Sequence, residues 1–83
     1  MEDKLKTQLR TFLSKYIKLD NLGDDDNFFK KGLINSLFVM QLINLIENEF
    51  EISIDDSDLK IDNFKSIGAI TGFVKLKKSL QYN

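Results

Sequence analysis

No cysteine and no histidine occur anywhere in the sequence. Their absence removes disulfides, thiolate metal sites and a protein thiol nucleophile, together with the commonest general base and metal ligand. Most enzyme mechanisms lose their usual parts. An excess of charge of one sign is missing as well: 12 basic residues stand against 13 acidic ones, a net charge of −1. Nothing here attracts nucleic acid phosphates in general, and no nucleic-acid partner is expected. The longest apolar run, Leu37 to Met40, is far short of the roughly 20 residues of a spanning helix, so no membrane partner is expected. Glu2, Asp3, Lys4 and Lys6 interrupt the start where an apolar signal region would lie, which makes the cytoplasm the expected location.

What is present fits one domain over residues 1–83, since a single core commonly takes about 50 to 200 residues. Leu5, Leu9, Phe12, Leu13, Tyr16 and Ile17 recur at spacings of three and four, which predicts an amphipathic helix over residues 3–17. Periodicity then stops. Asp20, Asn21, Gly23, Asp24, Asp25, Asp26, Asn27 and Gly32 supply turn chemistry, while Leu19, Leu22, Phe28, Phe29 and Leu33 can pin the long loop to the core.

A second helix is predicted over 36–50, with Val39, Leu42, Ile43, Ile46 and Phe50 on one stripe. Either Ser36 or Asn35 can cap it, because a side-chain oxygen there accepts from a first-turn N–H. Beyond it, Ile52 and Ile54 serve as buried loop anchors, and Asp55 to Asp58 lead into a short helical turn over 59–62. A last helix is predicted over 64–78. Asn63 precedes it, Phe64, Ile67, Ile70, Phe73 and Val74 face inward, and Lys75, Lys77 and Lys78 suit its C-terminal end. With no proline and no strand alternation, the fold class is all-α: a small four-helix bundle of three long helices and one short, with a long loop between helices 1 and 2.

The segment Gly32-Leu33-Ile34-Asn35-Ser36-Leu37-Phe38 resembles the modification site of acyl and peptidyl carrier proteins, where Asp-Ser-Leu or a close variant opens the second helix. Phe28-Phe29, Leu42-Ile43, Ile46-Glu47, Glu49-Phe50, Ile54 and Asn63-Phe64-Lys65-Ser66-Ile67 match the family's landmarks in order and spacing, from about residue 5 to 75. The resemblance implies a non-catalytic carrier with covalent 4′-phosphopantetheine, derived from coenzyme A, on Ser36. It implies a phosphopantetheinyl transferase, which supplies the base and magnesium, and an acyl-loading enzyme as partners. It also implies partner recognition through Asn35, Leu37, Phe38, Gln41, Asn44, Leu45 and Glu47. A phosphate at a helix N-terminus suits the first-turn N–H groups and the positive end of the dipole.

The sequence departs from the family's commonest pattern at Asn35, where aspartate is usual, and at Phe38, where fatty-acid carriers often have an acidic or small polar residue. Phe38 either docks partners or folds onto Leu22 or Phe28. Gln41 and Asn44 dilute the acidic character usual on the second helix. Acids return at Glu47, Glu49, Glu51, Asp55, Asp56 and Asp58, as a surface for a basic partner or as a solvated, capping face. Asp24, Asp25 and Asp26 read as loop chemistry, since the spaced ligands of a calcium loop are missing. Met40, Ile43, Ile61 and Phe64 could wall a slot between helices, with plain core as the commoner role.

Within the family, Asn35-Ser36-Leu37-Phe38 with Gln41-Leu42, Glu47 and Asn63-Phe64 looks most like freestanding carriers of polyketide and mixed polyketide–peptide pathways, of the methoxymalonyl, hydroxymalonyl and aminomalonyl extender-unit type. That implies a monomer serving tailoring dehydrogenases and then an acyltransferase or synthase. The alternatives are a fatty-acid or aminoacyl carrier, such as an alanyl carrier, and a helical interaction module in which Ser36 is only a cap.

Overall fold

Four helices and one 3-10 turn organise residues 4–81, the part of the chain that the computed structural model describes. They are α1 (Lys4–Leu13), α2 (Ser36–Phe50), α3 (Ile61–Phe64) and α4 (Ile67–Gln81), with the 3-10 turn at Asp56–Asp58. No strand is present among the described residues, so the all-α four-helix class holds. Nor is any described helix long and apolar enough to cross a membrane.

Helix α1 buries Leu9, Phe12 and Leu13, the stripe its spacing predicts. It stops at Leu13, short of residue 17, because Lys15 and Tyr16 bond the carbonyls three residues back and tighten the chain. Ile17 is still buried, so apolar spacing outlasts the helix. Residue 3, the expected start of the helix, lies outside the described residues.

The loop from 18 to 35 is held by named bonds. Asp24 receives Lys6 Nζ at 2.8 Å and Arg10 Nη2 at 2.6 Å, and the same guanidinium reaches the Leu22 carbonyl at 2.9 Å. The contact with Lys6, and then that with Arg10, holds the Asp24 carboxyl below the usual carboxylate range. Leu22 and Phe28 are buried beneath it, and Leu19, Phe29 and Leu33 pack against the core edge. Among the described residues no acidic cluster is placed to hold a metal ion.

Two of these loop contacts also explain why the last helix starts at Ile67 rather than at residue 64. Gly68 N–H donates to the Asp24 carbonyl at 2.7 Å, and the Lys65 carbonyl accepts from Phe28 N–H at 2.7 Å. A continuous helix would need both groups for its own ladder. Phe64 therefore belongs to α3, and Ser66 Oγ, not Asn63, takes a first-turn amide of α4, that of Ala69 at 3.0 Å. Asn63 Nδ2 instead donates to the Asp58 carbonyl at 2.8 Å. The short turn expected over 59–62 is accordingly split into the 3-10 turn before it and α3 across its end.

Phe28, Phe64, Leu9, Leu13, Leu42, Ile46, Ile67, Ile70 and Val74 form the fully buried centre, contributed by the loop and all four helices. Burial of this kind stabilises by about 1.5–3 kcal/mol per large side chain.

Candidate functional site

The start of α2 is positioned by the end of the long loop. Leu33 N–H donates to the Phe28 carbonyl at 3.0 Å, Gly32 turns the chain with φ of 71°, and Ile34 is buried as an anchor. Asn35 comes next in extended geometry, and its Oδ1 accepts Phe38 N–H at 2.9 Å. Of the two possible caps, the structure uses Asn35. Ser36 is thereby left as the first helical residue, exposed, with its hydroxyl bonded to no other described residue.

The Ser36 and Leu37 amides, lying ahead of the first helical acceptor, also have no partner among the described residues. No residue from Leu33 through Ile46 carries a charge. An anion at Ser36 would meet free N–H groups and the positive helix end, with no carboxylate on its own helix nearby. Site and phosphodiester are chemically matched.

Leu37 projects from this corner with 78% of its surface exposed. Gln41 and Asn44 continue the same exposed side at helical spacing. Phe38 and Leu45 are half-buried and pack against the core edge. Glu47 is half-buried too, and its Oε2 accepts Ile54 N–H at 2.8 Å.

Further along, the acidic run is put to structural use. Asp55 N–H donates to Asp58 Oδ2 at 3.0 Å, while Lys77 of α4 pairs with both Asp58 and Asp55 and lies over the Phe73 ring. The bond from Lys77 holds the Asp58 carboxyl below its ordinary range, and reciprocally raises the Lys77 ammonium.

Between α2 and the segment leading into α3 lies a slot of about 130 Å³, lined by Val39, Met40, Ile43, Leu59, Lys60, Ile61 and Phe64. Ile43 and Phe64 form its buried floor, whereas Met40 and Ile61 are more than half exposed at its walls. The four residues singled out from sequence are thus half core and half slot. Val39 could have been added from its spacing to Met40 and Ile43 on one face of α2. Nothing in the local pattern marks Lys60.

A small helical bundle with an exposed serine at the mouth of α2, its hydroxyl bonded to no other described residue, and an apolar slot along the same helix has the form of a carrier protein. The chain matches the family described as phosphopantetheine attachment site over residues 4–74, and it belongs to that family. The family's cofactor is covalently attached 4′-phosphopantetheine, which supplies a terminal thiol for thioester chemistry. Among solved structures the chain is similar to a carrier protein from Agrobacterium tumefaciens, crystallised with ATP and an engineered Bradyrhizobium japonicum glycine:[carrier protein] ligase. The two are 29% identical, with a TM-score of 0.75 over 87% of this chain and 97% of that one. No curated protein matches the sequence.

Proposed function

We propose that this protein is a discrete carrier whose Ser36 hydroxyl bears the phosphopantetheine arm as a phosphodiester, with cargo held as a thioester on the terminal thiol. The observation that carries this reading is the division of labour at α2: Asn35 caps the helix, so Ser36 is free to be modified. Ser36 has no histidine or cysteine to activate it, because the chain contains neither. The hydroxyl is a group acted upon, and the chain is no enzyme. A phosphopantetheinyl transferase provides the base and metal, and reads Asn35, Leu37, Phe38, Gln41, Asn44, Leu45 and Glu47 with the other partners.

The cargo is a small extender unit or its amino-acid or glyceryl-derived precursor, loaded by an ATP-using ligase, altered by tailoring dehydrogenases, and passed to an acyltransferase or synthase. Likeness to a carrier solved with a glycine ligase and ATP supports the loading step. The same likeness favours a second reading, a dedicated aminoacyl carrier. The carrier works as a single domain, as a monomer, in the cytoplasm.

Intact mass after incubation with coenzyme A, magnesium and a broad-specificity transferase tests the core claim. One phosphopantetheine should be gained by the wild type and none by Ser36→Ala; an adduct persisting on that variant refutes the site. Loading the holo protein with amino acids by ligase and ATP, against malonyl and long-chain donors, tests the cargo. Exclusive malonyl or long-chain loading counts against it.

A further inference from the structure

Six of the seven residues lining the slot are apolar; the seventh, Lys60, is its one charge. Lys60 is exposed and has no ion-pair partner among the described residues. Of the carboxylates around it, Asp58 feels the Lys60 charge through space, but each direct ion pair is made to another lysine. Asp58 and Asp55 face Lys77, and Asp62 lies 3.5 Å from Lys65 Nζ. Asp56, the remaining acid of the segment, does not line the slot. The slot therefore combines an apolar floor with a single cation that no described carboxylate pairs with directly. Val39, Met40 and Ile43 stand three, four and seven residues from Ser36, so its α2 wall begins roughly one helical turn from the serine.

Resting on the carrier reading above, we infer that Lys60 sorts cargo by charge: a short acyl group ending in a carboxylate docks in the slot, and one ending in an ammonium is kept out. Size sets the first limit. An apolar cavity of about 150 Å³ takes a benzene-sized guest, so about 130 Å³ suits an acyl group of about six heavy atoms and not a long chain. Charge sets the second. A dicarboxylic half-thioester lays its methylene on the apolar walls and its carboxylate near Lys60, whereas an aminoacyl thioester presents like charge and stays on the arm in solvent. An amino-acid-derived precursor is thereby offered to tailoring enzymes, and a carboxylate-bearing extender unit is sheltered.

The test loads Ser36 with three hydrolysis-resistant, amide-linked pantetheine cargoes of similar length: succinyl, butanoyl and β-alanyl. Each is prepared on wild type and on Lys60→Glu. Intact mass is read first: cargo absent from Ser36 sinks the carrier reading and this inference with it. Backbone NMR shifts at Val39, Ile43, Ile61 and Phe64 then report docking. In the wild type, succinyl should dock about two- to five-fold more than β-alanyl, the range that an exposed charge pair supplies. In Lys60→Glu the order should invert, with the butanoyl signal unchanged as the control for an intact slot. Equal shifts for all three cargoes, or an order unchanged in Lys60→Glu, would overturn the charge rule while leaving the arm on Ser36 intact.

Discussion

Glu47 Oε2 accepts the backbone N–H of Ile54 at 2.8 Å, tying the middle of α2 to the segment that leads toward α3. Glu47 is expected to be read by partners, yet one of its oxygens is already committed inside the fold. Glu47→Ala strands the Ile54 N–H and should cost about 1–3 kcal/mol, read as a lower urea midpoint. Glu47→Gln keeps an acceptor oxygen and should recover most of that loss. A variant that lost partner turnover at an unchanged midpoint would show that the residue acts only at the surface.

Separate jobs for Asn35 and Ser36 predict separate phenotypes. Asn35→Ala removes the acceptor for Phe38 N–H and should destabilise by about 0.5–2 kcal/mol. Ser36→Ala should leave the unfolding midpoint within experimental scatter, since its hydroxyl bonds to no described residue, while abolishing modification. Equal destabilisation by the two substitutions would mean that the serine shares the cap.

Helix positions were legible because apolar spacing survives in sequence: Leu9, Phe12 and Leu13 in α1, and Leu42, Ile43, Ile46 and Phe50 in α2, are all buried as the pattern implies. The family was legible through the order of landmarks around Ser36. Helix ends were less so, because their causes are distant in the chain. Asp24 and Phe28 take the groups that would have carried α4 back to residue 64, a contact spanning some forty residues. Glu51, a non-glycine residue at φ of 54°, closes α2 in the left-handed conformation that usually signals glycine. The slot was half legible, since Met40 and Ile61 read as core until the fold left them exposed. Lys60 was invisible: a lone lysine gains meaning only once Lys77 and Lys65 are seen to engage the acids around it.

Two glycines of α4 should respond oppositely to alanine. At Gly72 an added Cβ meets nothing within 4 Å, so Gly72→Ala should gain about 0.5–1 kcal/mol of helix stability. At Gly68 it would come within 3.2 Å of both the Asp24 carbonyl oxygen and Asp25 Oδ1, against backbone that the Gly68 N–H itself bonds. Overpacking of about 1–3 kcal/mol there should exceed the helical gain, making Gly68→Ala destabilising. Thermal melts of the two variants give the check, and a stabilised Gly68→Ala would mean that the loop yields without cost.

Lys77 links α4 to the acidic turn that carries one wall of the slot, and its pairing with Asp58 predicts a particular pH profile. The Asp58 carboxyl is lowered from its ordinary value, chiefly by the bond from Lys77, so its contribution is complete above a pH of about 3.9 and fades as pH falls through the lower folded value. The Lys77 ammonium is raised, chiefly by Asp58; its contribution is complete below a pH of about 10.4 and fades only as pH climbs past that through the higher folded value. The pair should therefore stabilise evenly from about pH 5 to 9. Urea midpoints of wild type and Asp58→Asn should differ by a constant amount across that window and converge toward pH 2. Asp24, whose carboxyl is lowered by Lys6 and Arg10, supplies the same sign of acid dependence in both proteins and cancels from the difference. A gap between the two that stayed constant into strong acid would show that the amide loses packing rather than charge, and the ion pair would then have no part in fixing the wall.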